Sequence, residues 1–151
     1  MVINLIGYSR PGTYADYAYD GAVYSSTLNR IYFVPYGIAN LSYWHYFDCA
    51  TKTIVEYSHE VNCVQYAYRG GAYDPINNRI YGTPFMQRNQ TYWHYVDCST
   101  GNIYGYTNHP TLTLGYDGGV YSPTLQRIYL VPNQIATQST WHYFDCNSLS
   151  F

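Results

Sequence analysis

Charge is scarce in this chain of 151 residues, at 11%. Seven basic side chains against nine acidic ones give a net charge of −2. No basic stripe exists for a nucleic-acid duplex or an anionic membrane surface to engage. Long apolar runs are missing too. None approaches the roughly 20 residues of a membrane-spanning helix. The opening Met-Val-Ile-Asn-Leu-Ile is too short for a signal peptide and lacks its basic start. No apolar pattern of helical period persists anywhere. Catalysis lacks its usual parts: there is no nucleophile–base motif, no glycine-rich phosphate loop and no carboxylate cluster. The expectation is therefore a soluble chain with no cofactor, no metal, no catalytic residues, and neither nucleic acid nor membrane as a partner.

Cysteine is sparse, with four copies. Cys49, Cys98 and Cys146 share one repeat position, described below, and Cys63 stands alone. Equivalent positions in neighbouring packed sheets lie about 10 Å apart, and a disulfide needs Cα atoms within about 7 Å. Free, buried thiols are expected, which favours a reducing, cytoplasmic compartment.

What the chain has in excess is tyrosine, 22 copies, within an aromatic content of 20%. So many aromatics beside so few charges favour strands and exclude disorder. The chain also repeats. The word Trp-His-Tyr-Phe-Asp-Cys begins at Trp44, at Trp93 (with Val96 for Phe) and at Trp141. His45, His94 and His142 are 49 and 48 residues apart. Arg30, Arg79 and Arg127 keep the same step, each before Ile-Tyr, and Pro35, Pro84 and Pro132 follow. So do Gly21, Gly70 and Gly118.

Each unit divides into four short strands. Strand A carries the glycines (17–25, 66–74, 114–122), and a tight turn leads to strand B (30–34, 79–83, 127–131). Strand C holds the repeated word, and strand D is 54–57 or 103–106. Four antiparallel strands in about 48 residues is the size of a β-propeller blade. The run Gly-Gly-Val-Tyr-Ser-Pro-x-x-x-Arg-Ile-Tyr-x-Val-Pro at 118–132, followed by Trp141 to Asp145, resembles the blade repeats of YVTN- and kelch-type propellers. The WD40 pair of signatures is absent. The resemblance implies an all-β propeller and leaves activity open, because that fold hosts lectins, lyases, hydrolases and binding modules.

The units place one repeat domain over 1–151. Blade 1 covers about 14–58, blade 2 about 64–107, and blade 3 about 112–151 without a strand D of its own. Residues 5–9 align with strand D of the other units, so an N-terminal strand D is expected over 2–9. Propellers close with roughly four to eight blades. Three four-stranded blades therefore predict a homodimer closing as a six-bladed ring, the N-terminal strand of each copy completing the last blade of the other; the rival reading is a fragment of a longer repeat protein.

A histidine repeated identically in every blade predicts a hydrogen bond between blade elements, as a buried His requires. His45 and Cys49 share a face yet lie about 13 Å apart at about 3.3 Å per residue, too far for one zinc. Asp48, Asp97 and Asp145 are expected to accept N–H groups of the following turn. The three arginines are expected to pair with an Asp of a neighbouring turn. Alternation along strand C, with blades packing on both faces, predicts burial for the whole word.

Function in a repeat protein lies where the repeats differ. The B–C and D–A loops share one face of a propeller. They carry Gln87, Arg88, Asn89, Asn133, Gln134 and Gln138, with His59, Glu60 and His109. Tyr14, Tyr36 and Phe85 are aromatics outside the repeat. Amides beside aromatics suit a glycan or a protein segment. Asp20, Arg69 and Asp117 precede the strand A glycines and are expected to ring the central channel as salt bridges. The function read from these residues is a binding or scaffold propeller. The alternatives are a structural component of a larger assembly and a lyase- or hydrolase-type enzyme using His59 and Glu60.

Overall fold

The computed structural model describes Gly7 and residues 16–86, 90, 92–107, 115–134 and 139–151. Every regular element among them is a strand. The first sheet runs β1 (Tyr19–Ser25), β2 (Arg30–Pro35), β3 (Tyr43–Asp48) and β4 (Thr53–Ser58), in that spatial order. The second repeats it with β5 (Tyr68–Asp74), β6 (Arg79–Pro84), β7 (Trp93–Asp97) and β8 (Ile103–Tyr106). The third holds β9 (Tyr116–Ser122), β10 (Arg127–Pro132) and β11 (Tyr143–Asp145). All pairings are antiparallel. These are three propeller-like blades, two of four strands and one of three. The expected N-terminal strand D lies, apart from Gly7, outside the described residues.

Sequence explains why each hairpin turns where it does. The A–B turns end on Asn29, Asn78 and Gln126, whose φ values of 52°, 54° and 53° are left-handed. Asn tolerates that region better than most residues. The carbonyl of each of these three residues accepts the N–H of Cys49, Cys98 or Cys146, at 2.8 to 3.1 Å, which fixes strand C against the turn. The C–D turn is held from strand C. Asp48 Oδ1 accepts the N–H groups of Ala50 and Thr51 at 2.9 and 3.0 Å, and Asp97 and Asp145 do the same in their own sheets.

The arginines face turn aspartates, as expected: Arg30, Arg79 and Arg127 stand directly opposite Asp48, Asp97 and Asp145, which enter the turn from the adjoining strand. Arg127 Nε is 3.3 Å from Asp145, and Arg30 Nε is 3.8 Å from Asp48. Each guanidinium also covers the tyrosine of its own word, Tyr46, Tyr95 or Tyr143, at 4.3 to 4.5 Å. Cross-strand register, fixed by two-residue periodicity, decides the partner.

The core lies between the blades. Trp44 packs edge-on to Tyr68 of the next sheet, and Trp93 is fully buried. Burial of the whole word holds in no blade: Tyr46 to Cys49 are half-buried in blade 1, Tyr95 and Asp97 in blade 2, and in blade 3 Trp141 is 73% exposed against 3% for Trp44 and 0% for Trp93. Alternation sets which face a side chain takes, but a neighbouring sheet must cover that face. Among the described residues no sheet covers this face of blade 3. All four cysteines are free thiols, with Cys98 and Cys146 buried. Cys98 sits against Ser25 of the preceding blade, and Cys146 against Asp74 of its preceding blade. Burial, with the Asp74 carboxylate adding to it, pushes the Cys146 thiol up to about 12, so it stays protonated and unreactive at neutral pH.

Candidate functional site at the loop end of the axis

The inner strands converge along a column of glycines. A Cβ on Gly21 would lie 3.0 Å from Gly70 Cα, and one on Gly70 would lie 2.9 Å from Gly118 Cα. All three have positive φ, between 67° and 100°. Each glycine sits in a break of strand register, between Tyr19 and Ala22, Tyr68 and Gly71, and opposite Leu130 to Pro132. Such a bulge re-aims a side chain. The side chains so placed are Asp20, Arg69 and Asp117.

They meet. Arg69 Nε lies 2.7 Å from Asp20 Oδ2 and 2.7 Å from Asp117 Oδ1, so one guanidinium joins three blades. The hydrogen bond that Arg69 donates to the Asp20 carboxylate raises the Arg69 pKa above its ordinary value. Asn133 Nδ2 donates to the other oxygen of Asp117 at 2.8 Å. Arg69 also lies over the Phe85 ring at 5.0 Å. Phe85 is 6.0 Å from Tyr36, which in turn packs at 4.8 Å on Tyr66. The channel residues and part of the loop set therefore form one cluster, and Tyr36 and Phe85 belong to it. The three charged side chains remain roughly one-third exposed, reachable by a polar ligand.

Other candidates fall elsewhere. Gln134 is exposed, in a left-handed bend at φ 55°. Gln87, Arg88, Asn89, Gln138, His109 and Tyr14 lie outside the described residues. His59 packs under Trp44, ring centroids 4.0 Å apart, and burial lowers its pKa. Glu60 is exposed, and among the described residues no ion pair joins it to His59.

The repeated histidines have a structural place. The hydroxyls of Tyr19, Tyr68 and Tyr116 bond Nδ1 of His45, His94 and His142, tying strand A to strand C within each blade. No group of three or more metal-ligating side chains occurs among the described residues. The sequence holds this Tyr–His spacing of 26 in every unit, but with 22 tyrosines it has no distinguishing mark.

Burial, with the charge of nearby His59 adding to it, lowers His94 to about 4. The unfolded chain takes up this proton below about pH 6.5, while the folded chain does not until about pH 4. Stability is therefore intact at neutral pH and falls as pH drops from about 6.5 to about 4, by on the order of 3 kcal/mol. Urea midpoints measured between pH 7 and 4.5 should fall accordingly. His94→Gln should flatten that slope. A wild-type midpoint constant down to pH 5 would contradict the argument.

No family model and no curated protein matches the chain. Among solved structures it is similar to a chain of hydrazine synthase from Kuenenia stuttgartiensis, with a TM-score of 0.61 and 13% identity. The match covers 95% of this chain and 38% of that one. It shows the fold. No helix among the described residues is long and apolar enough to cross a membrane.

Proposed function

We propose that this chain is a non-catalytic binding or scaffold propeller. Its disc is completed to six blades by a second copy, and its B–C and D–A loop face receives a glycan or a protein segment. The observation that carries this is the cluster around Arg69. A guanidinium, two carboxylates and the Asn133 amide stand at the loop end of the axis, beside the rings of Phe85 and Tyr36. Such a mix of donors and acceptors with apolar ring faces suits sugar hydroxyls or a peptide backbone. A purely structural role in a larger assembly is the second reading, favoured by the exposed face around Trp141.

The test is binding at this cluster. Glycan-array signal competed by free sugar, and reduced at least tenfold in Asn133→Ala, is the expected result for a glycan. Stoichiometric capture of one protein, weakened by the same substitution, is the expected result for a protein partner. Binding unaffected by Asn133→Ala and by Arg69→Ala would remove the cluster from the account. Turnover lost on replacing His59 or Glu60 would replace this reading with an enzymatic one.

A further inference from the structure

Blade 3 turns outward the face that its neighbours bury. Val23 and Trp44 of blade 1, like Ala72 and Trp93 of blade 2, lie in the core. Their counterparts Val120 and Trp141 are 68% and 73% exposed, and Tyr129 and Val131 beside them are exposed as well. Four apolar side chains on one sheet face form a patch of the kind that marks an interaction site.

The structure also contains the matching surface. Each blade enters the one before it by its other face, and the contacts repeat. Blade 2 brings the Cys98 thiol to Ser25, and blade 3 brings the Cys146 thiol to Asp74. Asn77 Nδ2 adds a bond of 3.4 Å to the Cys146 carbonyl. The glycine column steps from 21 to 70 to 118 and then meets open space, with nothing within 4 Å of a Cβ on Gly118. At the other end, the same entering face of blade 1 is more open at two of its described residues. Cys49 is half-exposed where its two counterparts are buried, and Tyr24 is exposed. Blade 1 is thus built to fit the face that blade 3 displays.

We infer that the blade 3 face is covered by blade 1 of a second copy, in the register that joins blades 1, 2 and 3. Ser122 holds the place of Ser25 and Asp74, so it meets Cys49 of the second copy. Trp141 then packs where Trp44 and Trp93 do. Gly118 receives Gly21 of the second copy. A two-fold axis makes the same seam twice and closes six blades, within the range that propellers close. This deepens the assembly part of the preceding proposal and is independent of any ligand.

Sedimentation equilibrium of the full chain should give twice the 17.5 kDa of one copy. Trp141→Glu should reduce that mass to one copy while leaving the strand circular dichroism unchanged, because Trp141 is exposed within the single chain. Ser122→Cys under mild oxidation should produce a disulfide-linked dimer on a non-reducing gel, abolished by adding Cys49→Ala. A mass of one copy at all concentrations assigns the open face to blades of another chain and overturns the inference. A dimer that survives Trp141→Glu, or that yields no covalent product through Ser122→Cys, overturns this seam. Glycan or protein binding enters none of these readouts, so a failed ligand test and a failed seam remain distinct.

Discussion

Gly70→Ala will unfold at much lower denaturant than the wild type, with a loss of roughly 2–5 kcal/mol. Two costs add. Gly70 has φ +67°, a left-handed conformation that costs an L-residue about 1–2 kcal/mol. Its new methyl would also stand 2.9 Å from Gly118 Cα and 3.4 Å from Gly118 N. Those are backbone atoms of the next inner strand, so no side chain can swing away. Overpacking of this kind costs about 1–3 kcal/mol, and here it pushes blades 2 and 3 apart. Gly118→Ala separates the two effects. Its φ of +100° keeps the backbone cost, yet a Cβ there meets nothing within 4 Å. Urea unfolding of the single copy, under dissociating conditions and followed by circular dichroism, should rank Gly70→Ala well below Gly118→Ala. Equal midpoints would mean that the glycine column is not a packing contact.

Trp93→Ala is the second large effect, at about 3–5 kcal/mol. Trp93 is 0% exposed and lies edge-on to Tyr68, ring centroids 5.6 Å apart. Tyr68 in turn touches Trp44 and bonds His94, so one ring ties three repeat positions together across blades 1 and 2. Removing the indole leaves a cavity among aromatic walls that cannot collapse without moving Tyr68. The same substitution at Trp141, which opens the same repeated word, should change the unfolding of a single copy by no more than about 0.5 kcal/mol, as exposed positions do. Comparable losses at both positions under dissociating conditions would show that Trp141 is packed within its own chain.

That contrast marks how far the sequence could be read. The fold was legible because a six-residue word acts as a ruler. It counts the units, sets strands A to D, and leaves blade 3 without a fourth strand of its own. The turn aspartates were legible as well, because Asp before a turn has a local chemistry. The pairing of the arginines with turn aspartates was legible too, although the register across β2 and β3, β6 and β7, and β10 and β11 that fixes each pair is not carried by a single strand. The exposure of Trp141 depended on whether another sheet covers it, which no local pattern encodes. At the site, Asp20, Arg69 and Asp117 could be named from their place before the glycines. That Asn133 and Phe85 join them followed from the bulges and from loop paths, which sequence alone did not trace.

The Asp20–Arg69–Asp117 triplet carries one uncompensated negative charge, and its carboxylates stand at the outer ends. Any ring made by repeating the triplet brings Asp117 of one copy toward Asp20 of the next with no guanidinium between them. In the proposed ring the aromatic seam would draw the copies together, whereas the inner rim would drive them apart. Repulsion between partly exposed charges is screened over about 8–10 Å at physiological salt. Closure should therefore tighten as ionic strength rises, the reverse of an assembly held by salt bridges.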